Sequence, residues 1–131
     1  MDLIYDWDET LYRNIAKKSE SKQAVEDVKY ARFVFYRRNM NRLSFRQGEI
    51  AILLGYYTAQ SCRIIVVAVD KEFGGQGIGG ALLKKAEIIA QKHGCKRIFT
   101  VTKGGRRFYE KYGYQITAKK SNGWEMTKKL Q

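Results

Sequence analysis

The chain has 131 residues, 44% of them hydrophobic, which fits one domain with a single core. Its longest apolar run, residues 64–69, is far too short to span a membrane, and its first residues lack an apolar segment of signal-peptide length, so a soluble, cytoplasmic protein is expected. A formal net charge of +12 suits either a solvated surface or attraction of an anion; a polyphosphate would suffice, with nucleic acid as a further option.

In chain order, residues 8–19 predict a helix with Leu11, Tyr12 and Ile15 on one face and Asp8 as its cap. After a break at 19–21, residues 22–31 predict a second helix through Ala24, Val25, Val28 and Ala31. Phe33, Val34, Phe35 and Tyr36 favour a strand over 32–37, with continuation of the helix as the alternative. Residues 49–58 and 63–70 read as an antiparallel hairpin turning at 59–61. Residues 77–92 predict the clearest helix, with Ile78, Leu82, Ala86, Ile89 and Ala90 inward. A strand over 96–102, a short helix over 105–112 and strands over 114–118 and 124–129 complete the chain. The strand-helix-strand step implies a parallel pair. The remaining strands pair antiparallel, so an α/β fold with a mixed sheet flanked by helices is expected.

Cys62 and Cys95 have no metal-ligand spacing and read as buried small hydrophobes; no metal is expected. His93 precedes Gly94 at an expected helix C-terminus, where a cation suits the dipole.

The glycine cluster after the apolar run 64–69 is the main functional signal. Helix N-termini present free N–H groups and partial positive charge, so they hold phosphates. A P-loop fails, because Gly80 and Ala81 stand where Lys and Ser/Thr are needed. Gly75 to Gly80 matches GxGxxG, but residues 70–73 intervene after the strand, the next strand ends at Lys103 rather than an acid, and too little chain remains for a dinucleotide fold. The stretch resembles motif A of the GCN5-related N-acetyltransferases: Gly77 and Gly79 hold the glycine positions, and Glu72 and Phe73 the acid and aromatic. Lys71 replaces the usual proline, and Gly74 the usual Arg or Gln. Residues 106–114, Arg-Arg-Phe-Tyr-Glu-Lys-Tyr-Gly-Tyr, resemble motif B of the same family at fitting spacing.

The resemblance implies one acetyltransferase domain over residues 1–131, with 48–131 as the acetyl-CoA-binding core and 1–47 as a divergent acceptor side. It implies a pyrophosphate on Gly74, Gly75, Gln76, Gly77, Ile78, Gly79 and Gly80. It also implies a pantetheine arm along Val67, Ala68 and Val69, in a slot made by a bulge that splays two strands. Tyr109 stands where the family places an acid for the departing thiolate, and a phenol suits that task. Thr102 stands at the pantetheine-contacting position where Asn is frequent, and Arg97 where some relatives that acetylate protein N-termini carry a basic Glu. Arg106 and Lys103 are expected near the phosphates or simply at the surface. Glu49, taken as a strand residue beside the cofactor strand, and Glu72 are the candidates for the base. Aromatic residues and the acids Asp2, Asp6, Asp8 and Glu9 are candidates for the acceptor pocket. The expected partners are acetyl-CoA and an amine, with a homodimer as an option. The alternatives are a CoA-binding module without catalysis and a basic nucleic-acid-binding domain.

Overall fold

The computed structural model describes residues 1–37 and 41–131. Strand β1 (Asp2–Leu3) and helices α1 (Glu9–Lys18) and α2 (Ala24–Phe35) precede strands β2 (Asn41–Gln47), β3 (Ala51–Tyr57) and β4 (Ser61–Val69). A 3-10 turn (Lys71–Phe73) then leads into α3 (Ile78–Lys92), β5 (Arg97–Thr102), α4 (Arg106–Lys111), β6 (Gln115–Lys120) and β7 (Gly123–Lys129). The described strands form one seven-stranded sheet in the order β1-β2-β3-β4-β5-β7-β6. β4 and β5 run parallel, and the other neighbouring pairs run antiparallel. Connection length explains the difference. A tight turn, closed by the Thr58 N–H donating to the Ser61 carbonyl at 2.9 Å, reverses β3 into β4, whereas α3 carries the chain back before β5.

Helices cover both faces of the sheet. Ile15, Ala24 and Val28 from α1 and α2 pack on Ile52, Leu54 and Ala68. Leu82, Leu83 and Ala86 from α3 pack on Leu53, Ile64 and Ile98 on the opposite face. This is why β3 and β4 read as continuous apolar runs: residues pointing either way are buried. Fully burying one such Leu or Ile stabilises by about 1.5–3 kcal/mol, so two covered faces hold the central strands far more firmly than the sheet's edges. Asp8 caps α1, accepting from the Leu11 N–H at 3.0 Å.

The strand expected over 32–37 is not formed, because α2 continues to Phe35. Ala31, Val34 and Phe35 extend the helical stripe begun by Ala24 and Val28, and burial of that stripe outweighs the strand preference of the aromatic run. The strand that does pair with β3 is β2, further along the chain. Its buried Leu43 and Phe45 are framed by Asn41, Arg42, Arg46 and Gln47, which mask it in the sequence. β1 is present as a short edge strand, with Asp2 opposite Arg46 and Leu3 opposite Phe45.

A buried polar cluster ties α3 to the C-terminal strands. Glu87 is 6% exposed; its Oε2 accepts from the Tyr114 hydroxyl and its Oε1 from the Lys128 ammonium, both at 3.0 Å. Lys128 also donates to the Tyr112 carbonyl at 3.0 Å. Removing one partner strands a buried charge, so Lys128→Ala should cost about 3 kcal/mol in urea denaturation. The double variant Glu87→Leu/Lys128→Met should recover much of that loss, and equal losses in both would contradict the assignment.

Candidate active site

β4 and β5 pair only where they begin, with Ser61 opposite Arg97, Cys62 opposite Ile98 and Arg63 opposite Phe99. A last cross-link comes next, in which the Thr100 hydroxyl donates to the Ile64 carbonyl at 2.8 Å. Beyond it the strands part. The cause lies on the other side of β4: Leu54 faces Val66 while Gly55 faces Ile64, leaving Ile65 as an extra residue. Such a bulge bends its strand and re-aims the residues beyond it. The Asp70 N–H donates to the Ile50 carbonyl at 2.7 Å. Alternation along the strand then turns the backbone groups of Ala68 and Val66 toward β3, and those of Val67 and Val69 into the gap.

At the end of β4 the chain turns through Gly74, Gly75, Gln76 and Gly77, all exposed, into α3. Gly77 is the N-cap at φ 77°, in the left-handed region, and its lack of a Cβ removes the penalty there. No side chain among the described residues caps this helix. The first return bond runs from the Ala81 N–H to the Gly77 carbonyl at 3.0 Å, so the N–H groups of Ile78, Gly79 and Gly80 have no helical partner. Gly79 and Gly80 serve a second purpose. A Cβ on Gly79 would sit 3.0 Å from the Phe108 ring, and one on Gly80 would overlap Tyr112. They let α4 lie directly on the first turn of α3. The Ile78 side chain faces the core.

That contact places Tyr109. Its side chain is 5% exposed, between the rings of Phe108 and Tyr114. Burial pushes its phenol well above the ordinary value; the adjoining Thr100 hydroxyl pulls it down and the charge of Asp27 pushes it up. Tyr109 therefore stays protonated at any ordinary pH and can give a proton rather than take one. Thr100, its neighbour, is the residue that bridges the two strands where the gap begins.

The other sequence candidates fall in several places. The Thr102 Oγ1 accepts from the Gly105 N–H at 2.9 Å, shaping the turn into α4. Arg106 is exposed and pairs with Glu110 at 3.2 Å. Glu49 lies exposed in the turn between β2 and β3, not in a strand, and Glu72 is exposed on the 3-10 turn. Cys62 and Cys95 are both buried, and burial raises their thiols, which makes them poor nucleophiles. His93 ends α3 and stacks on Tyr57, with ring centroids 4.6 Å apart. No group of His, Cys, Asp and Glu among the described residues is arranged to hold a metal. No helix among them is long and apolar enough to cross a membrane.

On the opposite face of the gap, a cavity of about 400 Å³ is lined by Glu26, Asp27, Tyr30, Arg63, Lys103 and Asn122, among others. Sequence reasoning assigns neither of the two acids to a site. Their helical spacing with Gln23 and Tyr30, on the flank of the stripe Ala24-Val28-Ala31, is the available signal.

A sheet parted between two parallel strands, with free amides where the intervening helix begins, defines a class of fold. The acetyltransferase (GNAT) domain model matches residues 29–116, and the chain belongs to this family. An uncharacterised N-acetyltransferase of Chlorobaculum tepidum is 32% identical over 62 residues, a stretch that is 47% of this chain and 39% of that relative. The match thus spans well under half of the relative's length. The crystal structure of the ribosomal-protein-S18-alanine N-acetyltransferase from Escherichia coli shares the fold at a TM-score of 0.75 and 14% identity, covering 98% of this chain and 92% of that one. PaiA N-acetyltransferase from Thermoplasma acidophilum, solved in complex with coenzyme A, does so at 0.71 and 18%, covering 94% and 93%.

The glycines carry distinct costs. Gly77→Val meets no neighbour but holds a branched residue in the left-handed region, a penalty of about 1–2 kcal/mol. Gly80→Val forces Tyr112 and α4 away and should cost more. Urea denaturation of both variants checks the order, and a reversed order would contradict the packing role of Gly80.

Proposed function

We propose that this chain transfers the acetyl group of acetyl-CoA to a primary amine. One observation carries the reading: free helix amides, unpaired strand backbone and a buried protonated phenol converge where β4 and β5 separate. The fit to coenzyme A is chemical. A diphosphate needs several N–H donors, and the first amides of α3, at Ile78, Gly79 and Gly80, offer them beside the turn 75–77. The amide-bearing pantetheine arm needs a strand edge, and the backbone groups of Val67 and Val69 offer one by strand addition. Gly74 brings no side chain to this contact, so the main chain does the binding.

Acetyl-CoA supplies an activated acetyl group. The backbone N–H at Val69 points into the gap, where it can polarise a carbonyl; preorganised donors of this kind are worth roughly 3–4 kcal/mol in other enzymes. Tyr109 holds a proton that a departing thiolate can take, and its burial keeps water from competing. The surrounding rings of Phe108 and Tyr114 fix its position. The fold shared with PaiA N-acetyltransferase, solved with coenzyme A, supports the same reading.

Tyr109→Phe keeps the ring and deletes the proton. Its turnover should fall by about 100-fold or more, with the Kd for coenzyme A unchanged. Thiol release measured alongside calorimetric titration checks both. An unchanged rate removes Tyr109 from the acid role, and binding without any turnover in the parent protein favours a non-catalytic CoA module. Gly77→Val should lose the rise in melting temperature that coenzyme A gives the parent; a retained rise would contradict the cradle.

A further inference from the structure

The cavity over the gap has an unusual charge pattern. Ile65, the extra residue of the bulge, and Val101 on β5 belong to its lining, so it opens onto the parted strands. Glu26 and Asp27 come from α2, Arg63 from β4 and Lys103 from the end of β5. Two acids thus share a wall with two cations. Glu26 pairs outward with Lys29 at 3.2 Å, while Asp27 forms no ion pair among the described residues. The charge of Asp27 also raises the Tyr109 phenol, as the smallest of three influences.

Arg63 is the second observation. Its Nε is buried and has no hydrogen-bond partner among the described residues. Its Nη1 donates to the Tyr30 hydroxyl at 3.4 Å, and its guanidinium lies 5.3 Å from that ring's centroid. Buried donors are nearly always satisfied, so the Arg63 guanidinium, which lines the cavity, keeps donor capacity that the described residues do not use.

The geometry points to an acceptor that is an amine carrying its own carboxylate, with Asp27 receiving the ammonium proton and Arg63 gripping the carboxylate. This rests on the acetyl transfer proposed above. A polyamine would meet Arg63 and Lys103, and a simple anion would meet Glu26 and Asp27; only a zwitterion complements both pairs. In the reaction, Asp27 takes one proton from the ammonium and passes it to water. The freed nitrogen bonds to the acetyl carbon and the carbon–sulfur bond breaks. Sulfur takes the Tyr109 proton, and the second proton shed by nitrogen restores the phenol.

The environment of Asp27 suits a base. Burial, the largest influence, pushes its carboxyl up to about 6; the Gln23 side chain and the charges of Arg63 and Lys103 pull it down, and Glu26 pushes it up. Asn122, from the turn before β7, adds no charge, and Tyr109 from the opposite face stays neutral. Asp27 is therefore ionised and able to accept a proton above about pH 6. The folded state binds this proton more tightly than the unfolded chain, so stability falls as pH rises from 3.8 to about 6.

The test uses the full chain with acetyl-CoA and three zwitterions, glycine, β-alanine and γ-aminobutyrate, each beside the alkylamine of equal length. Thiol release is followed across a pH series for the parent, Asp27→Asn and Arg63→Met. The parent should prefer at least one zwitterion over its alkylamine. Arg63→Met should raise the KM for that zwitterion about tenfold or more and change that for the alkylamine far less. Asp27→Asn should erase the rise in kcat/KM near pH 6. Without any ligand, it should also melt above the parent at neutral pH, with the difference closing in acid. Equal use of both amine types, a retained pH limb in Asp27→Asn, or a lower melting temperature in that variant overturns the inference while leaving acetyl transfer standing. No thiol release with any amine, despite coenzyme A binding, overturns both.

Discussion

The separation of β4 from β5 is the constraint on which the rest of the molecule depends. Parallel neighbours normally satisfy each other's backbone along their whole length, and unpaired groups inside a protein are costly. Here pairing stops after Arg63 and Phe99, and the bulge at Ile65 turns the backbone of Val67 and Val69 into open space. Such an arrangement persists because β4 is held on its other edge by β3 and on both faces by apolar contacts. The firmly packed centre of the sheet thus sustains an unsatisfied edge at its heart.

The two sides of the gap divide the chemistry. On the α3 side, backbone dominates: helix amides, glycines that admit Phe108 and Tyr112, and the strand edge. Tyr109, on the helix those glycines admit, contributes a buried phenol between the rings of Phe108 and Tyr114. On the α2 side, side chains dominate: acids and cations face one another around a cavity. A backbone site binds the part of a ligand that is the same in every cycle, whereas a side-chain site is free to select by charge. Helix α2 contributes Glu26 and Asp27 to that cavity, and the β4 and β5 segments contribute Arg63 and Lys103.

Much of this was legible in the sequence because it is periodic or glycine-marked. The apolar runs of β3 and β4, the stripe of α3 and the two motifs made legible the succession of elements from β3 onward and the glycine turn that opens α3. Three things were hidden. β2 carries polar residues at both ends, so its two buried apolar residues, Leu43 and Phe45, form no long alternation. The aromatic run at the end of α2 mimics a strand, and only burial of Val34 and Phe35 with Val28 resolves it. The bulge left one trace, Gly55, where any Cβ would overlap the Arg63 carbonyl; an isolated glycine inside a strand is a sign of such close approach. Asp27 could not be singled out, because its environment is assembled by β4, β5 and the β6–β7 turn, all distant in the chain.

Coenzyme A bound as proposed would cover the main-chain amides at the gap and at the start of α3. Residue-resolved amide hydrogen exchange, with and without saturating coenzyme A, addresses it directly. Rapid exchange is expected at Val67, Val69, Ile78, Gly79 and Gly80 in the free protein, with marked slowing at these positions when the ligand is added. Unchanged exchange at these five amides in the presence of bound ligand would contradict it.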